Sequence, residues 1–190
     1  MAVDARAHGD SEGTKIGMGW PERVDIIKWI NRILSWEPNA RIVLHGVSMG
    51  AATVLMASGE DLPGNVKAVI ADCGYTSEWD EFQREADTLH IPWFPVLNAT
   101  SVLSKIRDGY DFKQASALAQ VKKSRIPTLF IHGSSDELVP YSMLGELYAA
   151  AACEKEELTV EGAGHALSSS VAPTLYWRTV EDFIAKYLDR

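Results

Sequence analysis

Cysteine is nearly absent from the 190 residues: only Cys73 and Cys153 occur. Two isolated thiols give neither a disulfide framework nor metal-ligand spacing, so incidental thiols in a reducing compartment, and hence a cytoplasmic location, are expected. Long apolar runs are absent too; none approaches the roughly 18 residues that cross a bilayer. The first 15 residues carry Asp4, Arg6, Asp10, Glu12 and Lys15 and do not read as a signal peptide. Basic charge is scarce. Against 26 Asp and Glu stand 18 Lys and Arg, a formal net charge of −8, which argues against a nucleic-acid or membrane surface as partner. There is no P-loop, no dinucleotide fingerprint after a strand and no His/Cys/Asp cluster at ligand spacing along the chain, so no cofactor and no metal are expected. Repeats, low-complexity tracts and long linkers are missing as well. What remains is one domain, 1–190, with ordinary composition and enough length for a core.

The chain alternates between two periodicities. Pro21 to Trp36 reads as a helix, with Val24, Ile27, Ile30 and Leu34 on one face and Pro38 limiting its continuation. Continuous apolar strands are expected at Arg41–His45, Val66–Ala71, Thr128–His132 and Glu157–Glu161. Helices are expected from the residue after Val47 to about Ser58, at about Ser142–Ala152 and at Pro173–Leu188, the last with Tyr176, Val180, Phe183 and Tyr187 as its stripe. Apolar strands separated by helices mean a parallel sheet covered on both faces, and the class is α/β. The stretch 75–123 breaks the rhythm. It is rich in aromatics (Trp79, Phe82, Trp93, Phe94), with Pro92 and Pro95 expected to break any helix. It reads as a helical excursion packed on the sheet, as a cap shaping a substrate pocket, or as both.

Gly46-Val47-Ser48-Met49-Gly50 follows the apolar run Ile42 to His45 and leads into Ala51 to Met56. A strand, a sharp turn carrying serine and a helix make a G-x-S-x-G nucleophile elbow, with Gly46 and Gly50 expected to permit close approach of strand and helix. A serine hydroxyl needs an imidazole to take its proton and a carboxylate to fix that imidazole's tautomer. His8 and His45 precede Ser48. Of the others, His90 lies in the 75–123 stretch and His132 ends a strand, where a buried structural role is expected. His165, in Gly162-Ala163-Gly164-His165-Ala166 just after the last strand, is the favoured base. Two acids compete, Asp72 at the end of one strand and Asp136 after the next. Either strand end can serve. The G-x-x-D-x-x-V-P pattern over Gly133 to Pro140 favours Asp136, 29 residues before His165, and leaves Glu137 solvated.

These residues resemble the α/β-hydrolase superfamily, in particular bacterial members labelled serine aminopeptidase-like or feruloyl (cinnamoyl) esterase-like hydrolases. The resemblance runs through Asp4 to Gly13, Gly17-Met18-Gly19-Trp20, the elbow, Ala71 to Tyr75, the Asp136 loop and Gly164-His165. It implies Ser48 as nucleophile, Asp136 as orienting acid, His165 as general base and then acid, and the Met49 amide as one oxyanion donor. The family's second donor follows its third strand at a His-Gly pair. His8-Gly9 is the only such pair before the elbow, and Gly9 to Val24 holds no apolar run for a further strand. The chain is therefore expected to begin in or just after the family's fourth strand, N-terminally truncated and lacking the first three strands and half the oxyanion hole. The implied activity is hydrolysis of a small-molecule carboxylic ester through an acyl-enzyme, with the aromatic stretch favouring an apolar or aryl group. The alternatives are an aminopeptidase-like serine peptidase acting on short peptides, with Glu78, Asp80 and Glu81 as candidates to hold an amino terminus, and a truncated non-catalytic remnant.

Overall fold

Four apolar segments pair side by side and in parallel in the computed structural model, which describes residues 1–188. They are β1 (Ile42–Val47), β2 (Val66–Asp72), β3 (Thr128–Gly133) and β4 (Lys155–Val160), neighbours in chain order. Parallel neighbours must be joined by crossovers. Helix α2 (Met49–Ser58) joins β1 to β2. Helices α3 (Glu78–Thr88), α4 (Trp93–Asp108) and α5 (Ala117–Val121) join β2 to β3, and α6 (Ser142–Ala150) joins β3 to β4. Before the sheet comes α1 (Trp20–Trp36), and after it come α7 (Ser168–Val171) and α8 (Pro173–Ala185).

The period of two along a strand divides the core. Val69, Ala71 and Phe130 face one side, with Leu55 and Met56 of α2, Val121 of α5 and Leu147 of α6. Ala68, Ile70, Leu129 and Ile131 face the other, against Tyr176, Val180 and Phe183 of α8. Because the central strands are covered on both faces, they read as unbroken apolar runs, and this is the α/β arrangement expected.

Several element ends differ from expectation: β1 runs on to Val47, α6 stops at Ala150, and α8 stops at Ala185 rather than Leu188. β4 starts at Lys155, two residues before Glu157, because its first residues are charged and only half-buried at the sheet edge. Lys155 Nζ donates there to the carbonyls of Tyr148 (2.6 Å) and Ala151 (2.8 Å) at the end of α6. Pro92 and Pro95 interrupt the helix where they stand: Pro92 is the N-cap of α4, and Phe94, preceding Pro95, is extended at φ −99° and ψ 129°, so a kink divides Trp93–Asp108 and regular helix runs on only from Pro95.

Residues 1–19 form turns without a strand. They are tied to α1 by Arg6, whose guanidinium reaches Asp25 at 2.6 Å, and by Glu22, whose carboxylate accepts the amides of Gly17 (2.8 Å) and Gly19 (2.9 Å). Lys15 pairs with Asp108 at the end of α4. Glu22 is itself buried, as is Glu78 at the start of α3, and one carboxyl oxygen of Glu78 has no hydrogen-bond partner among the described residues. Burial first, and then the charge of Glu22, push Glu78 up to about 8 from its usual 4.5. A raised carboxyl binds its proton more tightly in the folded state, so folding stability falls as pH rises from 4.5 towards 8. Glu78→Gln removes this loss. Its Tm relative to the parent chain is expected to rise between pH 5 and pH 8, followed by thermal melts across that range; a constant difference contradicts the assignment.

Candidate active site

Ser48 occupies the turn between β1 and α2 at φ 55° and ψ −119°, a conformation that costs a non-glycine residue about 1–3 kcal/mol. Its amide donates to the Asp72 carbonyl at 2.9 Å, which fixes the turn to the end of β2. A Cβ on Gly46 would lie 2.2 Å from the Gly50 carbonyl oxygen, so strand and helix pass too closely there for any side chain. Gly50 is different from expectation: a Cβ there meets nothing within 4 Å. Only the first glycine of the pentapeptide is sterically demanded. Gly46→Ala is therefore expected to cost about 3 kcal/mol or more, whereas Gly50→Ala, in a helix, should change stability by less than about 1 kcal/mol. Thermal unfolding of both variants checks the contrast.

The Ser48 hydroxyl lies 2.7 Å from His165 Nε2, and His165 Nδ1 lies 2.8 Å from Asp136 Oδ2. These side chains come from the C-terminal ends of β1, β4 and β3 respectively. In the turn that carries Asp136, its Oδ1 accepts the amides of Leu138 (3.0 Å) and Val139 (2.9 Å). The Asp136 side chain is wholly withdrawn from solvent, while that of His165 keeps 21% of its surface exposed. With Nδ1–H directed at the carboxylate, Nε2 is free to accept the serine proton. Met49 opens α2, so its amide belongs to the first turn, which has no intrahelical acceptor. Glu137 is exposed.

The other candidates have different partners. His8 and His90 each place Nδ1 by a nearby carbonyl, of Arg6 (2.9 Å) and Thr88 (3.1 Å). His45 contacts the Tyr176 hydroxyl at 2.9 Å. Asp80 accepts the hydroxyls of Thr76 and Ser77 (2.7 and 2.6 Å), Glu78 is buried, and buried Glu81 pairs with Arg84 at 2.8 Å. Asp72 does not reach a histidine of the Ser48 cluster. Its Oδ1 accepts the hydroxyl of fully buried Ser168 at 2.9 Å, three residues beyond His165, and burial pushes its carboxyl up.

Two further side chains approach Asp136, and no local pattern in the sequence signals that approach. His132, buried as expected, approaches both the Val139 carbonyl (3.0 Å) and Asp136 Oδ2 (3.3 Å) through Nε2. Cys73, fully buried, has its thiol pushed up to about 12 by burial and by Asp72. Although no ligand spacing was visible along the chain, folding brings Cys73 Sγ, an Asp136 oxygen and a His165 ring nitrogen within 4.8 Å of one another.

Residues 21–190 match the model of the prolyl oligopeptidase family. The chain is 32% identical over 189 residues to the uncharacterized protein YqkD of Bacillus subtilis, covering 97% of this chain and 61% of that protein. It is 29% identical over 195 residues to the α/β-hydrolase domain-containing protein WAV2 of Arabidopsis thaliana, covering 96% and 59%. It thus spans about three-fifths of the length of these relatives. Among solved structures, esterase Pf2001 of Pyrococcus furiosus superposes with a TM-score of 0.74 at 23% identity, over 97% of this chain and 69% of that one. The acylaminoacyl peptidase of Pyrococcus horikoshii gives 0.66 at 18% identity, over 91% and 29%. At these identities the superpositions establish the fold, which is that of the α/β-hydrolases. No helix among the described residues is long and apolar enough to cross a membrane.

Proposed function

The chain belongs to the prolyl oligopeptidase family and has the α/β-hydrolase fold; from that premise we propose that it is a serine hydrolase that cleaves small carboxylic esters through an acyl-enzyme, with Ser48, His165 and Asp136 as its triad. The observation that carries this reading is the continuous relay of 2.7 Å and 2.8 Å from hydroxyl to imidazole to buried carboxylate. Ser48 Oγ attacks the ester carbonyl while its proton passes to His165 Nε2. The new imidazolium lies against Asp136, and the negative oxygen of the tetrahedral adduct is met by the Met49 amide and the positive end of α2. His165 then gives its proton to the departing alcohol. A water molecule, deprotonated by the same nitrogen, attacks the acyl-enzyme and releases the acid.

Ester cleavage is favoured over peptide cleavage because alcohols leave more readily than amines. Moreover, Glu78 and Glu81 are buried and the Asp80 carboxylate is already engaged, so none stands ready to hold an amino terminus. The family match and the likeness to an acylaminoacyl peptidase favour the second reading, a peptidase acting on short peptides. The chain works as one domain, and 75–123 serves as its cap, selecting an apolar or aryl acyl group. Support for this comes from the cavity of about 280 Å³ between α3 and α4, lined by Phe82, Leu89, Trp93, Leu97 and Phe112. Two free thiols accord with a cytoplasmic location.

The test is fluorophosphonate labelling together with hydrolysis of p-nitrophenyl acyl esters and aminoacyl-p-nitroanilides. Because the chain spans 61% of the B. subtilis relative, it is run on this chain and on one extended to that length. Ser48→Ala should lose the label, and Asp136→Asn should lower kcat by about 10⁴ through the wrong imidazole tautomer. Labelling that survives Ser48→Ala would remove the assigned nucleophile. Anilide turnover equal to or above ester turnover would give the peptidase reading precedence.

A further inference from the structure

Behind the Ser48–His165 pair sits a thiol that acyl transfer does not use. Cys73 directly follows β2, is wholly buried and takes the left-handed φ of 48°. Its Sγ, an oxygen of Asp136 and a ring nitrogen of His165 are mutually within 4.8 Å. We infer that these three side chains form a binding site for Zn²⁺ or a similar thiophilic divalent cation, and that occupancy inhibits the hydrolase. The inhibitory part rests on the triad reading above; the binding part does not.

Donor chemistry comes first. Thiolate, imidazole and carboxylate are the three protein ligand types that Zn²⁺ accepts. The sulfur disfavours Mg²⁺ and Ca²⁺, which take oxygen donors. Spacing comes next. A cation at the centre of a triangle with sides of at most 4.8 Å stands no more than about 2.8 Å from each corner (4.8/√3). Zinc bonds of about 2.0–2.3 Å then require each donor to move inward by less than roughly 0.8 Å, leaving a fourth position for water.

The surroundings already hold the ligands in place, as metal sites require. The Leu138 and Val139 amides fix Asp136 Oδ1, and His132 Nε2 lies 3.3 Å from Oδ2. His165 offers the way in, since its side chain is 21% exposed and stands on a loop.

Inhibition follows from where the protons go. His165 Nδ1, 2.8 Å from Asp136 Oδ2, is the nitrogen nearest that carboxylate. A cation bound at Nδ1 displaces its proton, and the neutral ring carries its single proton on Nε2 instead. Nε2 then has no lone pair for the Ser48 proton. The Cys73 thiol releases its own proton to solvent as sulfur binds the metal, and no redox change is involved.

Co²⁺ is the direct probe, because thiolate ligation gives a sulfur-to-cobalt charge-transfer band that does not depend on activity. The EDTA-stripped chain should bind one equivalent and develop this band. Cys73→Ala and Cys73→Ser should both lack it, and Cys153→Ala should keep it; circular dichroism identifies which variants are folded. Zn²⁺ should inhibit ester hydrolysis by the parent. The Cys73 variants, equally active in EDTA, should need at least about tenfold more Zn²⁺, since even changes outside the ligand shell cost 10- to 100-fold in affinity. Absence of the band, or a band or inhibition indifferent to Cys73, overturns the inference. A Cys73-dependent band in a chain inactive under all conditions leaves the site standing and rejects the triad reading instead.

Discussion

Burying a carboxylate costs several kcal/mol unless hydrogen-bond donors replace the water it loses, and the Asp136 side chain has lost all of its water. Donors from two parts of the chain meet this demand. The amides of Leu138 and Val139 come from its own turn, and His165 from the loop after β4. None can be withdrawn without leaving a buried oxygen less well satisfied, so the two loops that carry Asp136 and His165 are held to each other. The Ser135 amide bonded to the Ala163 carbonyl at 3.0 Å adds a backbone link across the same gap. The orientation of the His165 ring is thus a consequence of how Asp136 is buried.

β2 shows how a strand can organise a site without supplying a side chain to the Ser48–His165–Asp136 relay. It lies between β1 and β3 and, like every parallel strand here, ends at the same edge of the sheet. Its last residue makes two different attachments. The Asp72 carbonyl accepts the Ser48 amide, which braces the strained elbow, and the Asp72 carboxylate accepts the Ser168 hydroxyl just past His165. Ser48 and His165, 117 residues apart, are therefore referred to one buried residue. The strain of about 1–3 kcal/mol in the elbow persists because the surrounding bonds leave the turn no alternative.

What could be read from the amino acids depended on whether a local pattern carried the physics. β2 and β3 are legible because burial on both faces demands an apolar run, and β1, an edge strand whose buried and more exposed positions alternate, through the apolar residues on its covered face. β4 was displaced by two residues because an edge strand tolerates Lys155 and Glu156. Asp136 stood out over Asp72 through its turn pattern, a local feature, and the structure gives Asp136 the contact with His165. The steric freedom of Gly50 has no local signature, because the pattern does not say which glycine meets backbone. The approach of His132 and Cys73 to Asp136 had no local signature at all. It arises from the packing of β2, β3 and the loop after β4, which are distant in sequence.

The sheet and the stretch between β2 and β3 obey different physics. Around the sheet, apolar groups are buried and most polar groups are paired. In the intervening stretch, Leu89, Phe94, Val102, Leu103 and Ile106 are each more than half exposed, while buried oxygens of Glu78 and Glu81 lack hydrogen-bond partners among the described residues. Departures from local consistency concentrate in natural proteins at functional or strained positions. The proposed chemistry at Ser48 needs only the rigid ends of the strands. Choice among acyl groups needs a surface whose shape and polarity are not dictated by the core, and α3 and α4 have that freedom. On the reading proposed above, the nucleophile belongs to the consistent part of the fold and substrate selection to the inconsistent part.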